Sequence, residues 1–169
     1  LDKVYGLDGP LSYWHNDINR NRVILDGTTL ESGEHIYLYA GMRRGGRSYY
    51  ALDVSDRSAP KYLWQINGGS GDYAKLGQTW SKMIPATVRF KGIDTNVLFF
   101  GGGYDPAEDD YSTRTHHTMG NAIFMADAES GDLLWSTSNS GADLNLTEMR
   151  SSIVADIVAI DSTQDGYTN

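Results

Sequence analysis

LYAGMRRGGRSYYALDVSDRSAPKYLW, residues 38–64, shares one order of features with LFFGGGYD, 98–105, followed by MGNAIFMADAESGDLLW, 119–135. In each copy an apolar strand meets a glycine-rich turn, a second apolar strand ends in aspartate, and a polar turn leads to Leu-Trp. Leu38 matches Leu98 and Trp64 matches Trp135, at spacings that are long and unequal. Long units with variable insertions are how propeller blades repeat, whereas solenoid repeats are tight. A small antiparallel sheet has two apolar faces that it cannot bury alone. Radial stacking buries them, with a large aromatic such as Trp64 or Trp135 filling the wedge between neighbours. The expected fold is therefore all-β, a partial β-propeller. A β-sandwich with a fortuitous Leu-Trp pair is the alternative.

Working outward, short apolar runs bounded by Gly, Pro, Asp or Ser predict strands at 35–40, 47–54, 61–66, 85–90, 96–101, 121–127, 132–137 and 153–161. Only 142–150 reads as helical, for a turn or two, with Asp143 and Thr147 as possible caps. Blades of about 40–50 residues make residues 1–169 about three blades of one propeller domain, truncated at both ends inside a larger ring.

Composition narrows the function. A net charge of −8 repels phosphates, so nucleic acid is excluded as a partner. No apolar run approaches the roughly 20 residues needed to span a bilayer, and with no cysteine there are no disulfides or thiolate metal sites. The glycine runs at 43–47 and 101–103 lack a phosphate-cradle pattern and read as turns or bulges. Arg43, Arg44 and Arg47 suit either an acidic partner or glycan, or pairing with the chain's own carboxylates. No serine sits in a nucleophile-elbow context, so the chain is read as non-enzymatic.

The chain ends on DSTQDGYTN, 161–169, with Asp161, Thr163, Asp165, Tyr167 and Asn169 on alternate positions and Gly166 after the second acid. This spacing wraps oxygens around a hard cation. Asp161 and Asp165 supply carboxylates, Thr163 a hydroxyl, Tyr167 its backbone carbonyl, and Asn169 an amide oxygen or outer contact. The alternative is an Asp-Gly turn with no ion. A second loop, HNDINRNRVILD at 15–26, places Asp17, Asn19 and Asn21 alike, but Arg22 stands where the turn glycine should be, and a solvated surface turn is expected. His116 and His117 point to opposite faces of an extended segment and are expected in an exposed loop rather than on zinc.

The stretch from Ala126 to Trp135, ADAESGDLLW, resembles the blade signature of quinoprotein-type propellers. With DGPLSYW (8–14), YLYAGMRRGGRSYYALDVSD (37–56), LGQTWSK (76–82), FGGGYD (100–105) and IDSTQDGY (160–167), nearly the whole chain resembles the C-terminal propeller of the PilY/PilC family of type IV pilus-associated adhesins and assembly factors. That resemblance implies a calcium-binding segment of an exported factor that regulates pilus extension, retraction and twitching as well as adhesion. It would sit at the pilus tip, cell surface, outer membrane or periplasm of a Gram-negative bacterium. Its implied partners are minor pilins and a host or abiotic surface. The family's calcium loop more often has Asp or Asn at the place of Thr163 and Asp at that of Asn169, so this chain carries less ligand charge. Two other readings share the blade pattern. One is a periplasmic dehydrogenase dependent on pyrroloquinoline quinone, whose axial acid, stacking tryptophan and metal form no visible constellation here. The other is a glycan-binding propeller that uses exposed tyrosines and tryptophans.

Overall fold

The structure, a computed structural model, describes residues 5–26, 29–109 and 117–168. The strands are β1 (Leu11–Asn16), β2 (Leu25–Asp26), β3 (Thr29–Leu30), β4 (His35–Gly41), β5 (Ser48–Asp53), β6 (Lys61–Asn67), β7 (Ile84–Phe90), β8 (Ile93–Gly101), β9 (Ala122–Asp127), β10 (Leu133–Ser138) and β11 (Leu144–Asn145). They form one sheet ordered β1-β4-β5-β6 and another ordered β11-β10-β9-β8-β7, with β2-β3 as a separate hairpin inserted after β1. Apart from β11, which runs parallel to β10, each large sheet is an antiparallel meander.

The repeat in the sequence has a structural cause. Ala51 faces Trp64 and Leu52 faces Tyr62, so Leu63 is the extra residue of a β-bulge. Leu134 occupies the same irregularity before Trp135, opposite Ala126 and Met125. Each Leu-Trp pair therefore marks a bulge in the fourth strand of its meander.

Equivalent residues of the two sheets point the same way, not at each other. Tyr39, Tyr49, Ala51, Trp64 and Ile66 of the first sheet pack against Leu98, Phe100, Phe124 and Ala126 of the second. The second sheet's counterparts of the first set, Phe99, Met125 and Trp135, lie on its far face with Val88 and Val97. On the far face of the first sheet Leu11, Tyr13 and Tyr62 are exposed. A two-layer sandwich turns two like faces inward, whereas this is a head-to-tail stack with an apolar face left at either end. The first strands of the two sheets, β1 and β7, also approach each other.

Hydrogen bonds lock the shared core at its polar tips. The Tyr39 hydroxyl donates to the Ala128 carbonyl (3.1 Å), Tyr73 to Gly131 (2.8 Å) and Tyr49 to Ser81 (2.5 Å). Burial pushes all three phenols well above their ordinary pKa, so they stay neutral donors.

Several expectations are corrected. The described residues hold two large meanders, and 153–161, expected as a strand, is not one. It runs as irregular chain held beside the second sheet at separate points: the Ile153 carbonyl accepts the Gly103 N–H (2.9 Å), the Ile153 N–H donates to the Gly120 carbonyl (2.9 Å), and Asp156 accepts the Lys82 N–H (2.7 Å). Val158 and Ile160 stay exposed, because no described strand lies beside them to complete a ladder. The 142–150 stretch is not helical either. The Asp143 carboxylate accepts the Ser136 N–H (2.9 Å), and the chain enters β11 instead. Trp135 fills no wedge between the two sheets, since its face points outward.

Candidate metal loop and its surroundings

Residues 161–168 wrap around the Asp161 carboxylate. One of its oxygens accepts the N–H groups of Gln164 (2.6 Å) and Asp165 (3.3 Å) and the Thr163 hydroxyl (3.3 Å), and the other accepts the Gly166 N–H (2.8 Å). Desolvation pushes this carboxyl up, but the bonds from Gly166, Gln164, Asp165 and Thr163 outweigh it and hold its pKa below the ordinary value. Asp165 accepts the Tyr167 N–H (3.0 Å). The sharp turn needs left-handed backbone at Gln164 (φ 61°) and Gly166 (φ 92°), the latter natural to glycine.

The loop is moored to the hairpin of β7 and β8. Thr168 N–H donates to the Thr87 carbonyl (2.8 Å), and the Tyr167 hydroxyl donates to Asp94 (2.6 Å). Arg89 pairs with Asp94 (3.0 Å) and covers the Tyr167 ring at 4.6 Å. Tyr167, expected to act through its backbone carbonyl, thus has an anchoring role for its side chain that sequence spacing does not reveal. Asn169 and His116 lie outside the described residues.

The donor set of Asp161, Thr163 and Asp165 fits a hard cation in kind, being oxygen only. Among the described residues no group of three or more His, Cys, Asp or Glu side chains converges as a metal cluster. A cation in this loop would therefore need hydroxyl and backbone oxygens beside its two carboxylates.

Two other constellations are assembled by the fold alone. Asp105, 3% exposed, accepts N–H groups from Ala107 (3.1 Å), Thr118 (3.0 Å) and Met119 (3.3 Å), so one carboxylate ties together the two ends of the β8–β9 connection. Desolvation opposes ionisation of Asp105, and those bonds outweigh it, leaving its pKa lowered. Beside it, His117 is not in an exposed loop as expected. Its Nε2 meets Glu108 (2.5 Å) and its Nδ1 meets the Ser152 hydroxyl (2.7 Å) and N–H (2.6 Å). Ser152, His117 and Glu108 have the composition of a hydrolytic triad. The Ser152 oxygen, however, accepts the Asp105 N–H (3.2 Å) and is packed so closely on Gly120 that a Cβ there would lie 2.5 Å away. The trio clamps the 150–153 segment to the connection.

Arg43 and Arg44 form no ion pair with a carboxylate among the described residues, contrary to one expectation. Their guanidinium groups lie 5.0 and 5.8 Å from the Trp80 ring centre, and Arg44 also lies 5.9 Å from that of Tyr5. Arg44, Trp80, Tyr5, Gln78, Tyr104 and Asp109 line a cleft of about 640 Å³.

No family model and no curated protein matches the chain. Its fold is similar to the crystal structure of the Pseudomonas aeruginosa PilY1 C-terminal domain, with a TM-score of 0.62 and 20% identity. The match covers 96% of this chain and 27% of that one, so the chain spans about a quarter of the solved domain's length. At that identity the likeness establishes the fold.

Proposed function

We propose that the chain is a non-enzymatic segment of a β-propeller in an exported, type IV pilus-associated factor, with calcium held by Asp161, Thr163, Asp165, the Tyr167 carbonyl and Asn169. The observation that carries this reading is the fold likeness to the PilY1 domain over 96% of the chain. Head-to-tail stacking supports the ring. Trp64 is seated on the Gly131 turn of the second sheet, and Trp135 lies on that sheet's far face, where the proposed ring would place a further blade. Among the described residues no helix is long and apolar enough to cross a membrane.

Calcium would neutralise Asp161 and Asp165 and order the loop, so a pilin partner that prefers the ordered loop is coupled to the ion by linkage. Extension and retraction of the pilus would then respond to calcium. With two carboxylates the affinity is expected in the weak extracellular range, Kd about 10⁻⁴–10⁻³ M. Calorimetry on the full-length protein should show calcium heat from this loop that Asp165→Ala removes while the protein stays folded, and Thr163→Asp should tighten binding. In the native organism, Asp165→Ala should change surface piliation and twitching. Unaltered calcium heat in Asp165→Ala rejects the site, and unaltered piliation rejects its role.

The aromatic cleft favours a second reading, contact with surface carbohydrate. Rings pack on sugar C–H faces, Gln78 and Asp109 suit hydroxyls, and Arg44 suits a carboxylate. A sialic or uronic acid should bind the full-length protein, and Arg44→Gln should weaken it about 10-fold or more. Equal affinity for wild type and variant would remove this reading.

A further inference from the structure

The loop after β1, expected to be a plain surface turn, repeats the geometry of 161–168. Asp17 accepts the Arg22 N–H (2.7 Å) as Asp161 accepts that of Gly166 (2.8 Å), in both cases five residues on. Asn21 accepts the Val23 N–H (2.6 Å) as Asp165 accepts that of Tyr167 (3.0 Å). Left-handed backbone recurs at the same places, at Arg20 (φ 60°) and Gln164 (φ 61°), and at Arg22 (φ 67°) and Gly166 (φ 92°). Arg22 thus adopts the turn that a glycine would supply, and its side chain is exposed.

A second observation, independent of the turn, concerns charge. Glu34 is 6% exposed, and one of its carboxylate oxygens accepts the Asn19 N–H of this loop (3.1 Å). Its other oxygen is buried without a hydrogen-bond partner, and so is one oxygen of Asp17. Buried carboxylate oxygens without donors are costly, and a cation is one of the few partners that satisfies them. The same loop carries the side-chain oxygens of Asn19 and Asn21, which accept the N–H groups of Asn21 (2.9 Å) and Val23 (2.6 Å) and keep a second lone pair, while their amide nitrogens are held by Glu31. Two carboxylates and two amide oxygens, with no sulfur or imidazole, make a hard and flexible donor set. Such a set suits calcium better than magnesium, which demands a tight octahedron and dehydrates reluctantly.

We infer that Asp17, Asn19, Asn21 and Glu34 form a second divalent-cation site of calcium type, with Glu31 as a positioning residue for the two amides. The site rests on its own oxygen geometry and stands whether or not the terminal loop binds calcium. Calorimetric titration of the full-length protein with calcium chloride, after chelation with EDTA, tests it in four proteins: wild type, Asp165→Ala, Glu34→Gln and the double variant. Asp165→Ala should retain a calcium heat that the double variant lacks or shows at least about 10-fold more weakly. Magnesium chloride at equal concentration should give no comparable heat. In EDTA, Glu34→Gln should melt no lower than wild type, because the amide keeps an oxygen for the Asn19 N–H and replaces the buried carboxylate oxygen that has no donor. With calcium, wild type should gain melting temperature beyond that of the variant. Calcium binding that Glu34→Gln leaves unchanged overturns the inference. So does an Asp165→Ala protein with no calcium heat. Calcium heat lost in Glu34→Gln but kept in Asp165→Ala supports this site and rejects the terminal one.

Discussion

Phe100→Ala is expected to lower the unfolding free energy by about 3–5 kcal/mol. Phe100 is fully buried, and its ring lies 5.0 Å from Tyr49 of the first sheet, 5.4 Å from Phe124 of its own sheet and 6.2 Å from Tyr73 of the connection. Truncation removes the transfer free energy of a buried ring and leaves a cavity where three aromatic neighbours meet. Those neighbours cannot close in, because the Tyr49 and Tyr73 hydroxyls are tied to the Ser81 and Gly131 carbonyls. The adjacent Phe99 points to the opposite face and is only partly buried, so Phe99→Ala should cost less than half as much. Urea unfolding of the full-length protein measures both. A Phe100→Ala loss under about 1 kcal/mol, or one no larger than that of Phe99→Ala, would contradict a core shared between the sheets.

Gly131→Ala is expected to cost about 2–5 kcal/mol, from two separable causes. Gly131 has φ 76°, which costs an L-residue about 1–2 kcal/mol. A Cβ there would also lie 2.8 and 2.9 Å from ring carbons of Trp64. The indole belongs to a packed interface, and moving it adds an overpacking cost of about 1–3 kcal/mol. Gly92 isolates the first cause. Its φ is 82°, and a Cβ there would meet nothing within 4 Å, so Gly92→Ala should cost only the backbone amount. Chemical denaturation of the two variants should therefore separate them by about 1–3 kcal/mol. Equal losses would mean that Trp64 is not seated on the Gly131 turn.

The seat of Trp64 on Gly131 also shows how far the sequence was legible. The Ala-Asp-x-x-Ser-Gly-x-x-x-Trp spacing of 126–135 and the matching Leu-Trp at 63–64 depend on hairpin and bulge geometry, which is local. Seven of the eight strands read from it are present for that reason. Two-residue periodicity and turn residues report on neighbours a few positions away. The direction in which each tryptophan points is a different matter. It follows from how one sheet stacks on the next, and Trp64 and Trp135 look alike in sequence although one is enclosed and the other faces outward.

Long-range partners account for what the sequence did not reveal. The apolar alternation of 153–161 meets the criterion for a strand, but a strand exists only where a second chain segment completes a ladder of hydrogen bonds, and described segments meet this one only at separate residues such as Ile153 and Asp156. The turn that gathers Thr163, Gln164, Asp165 and Gly166 around the Asp161 carboxylate was legible because its bonds are local in sequence. The mooring of Tyr167 on Asp94 and Arg89 is not local, nor is the burial of Glu34 beside a loop that begins at Asp17. Sequence alone determined the all-β class, the repeat and the oxygen-rich loops, because each is written in spacings of a few residues. Tertiary structure decided which apolar faces meet and which carboxylate oxygens lie buried without a donor, because burial and pairing depend on chain segments brought together only by folding.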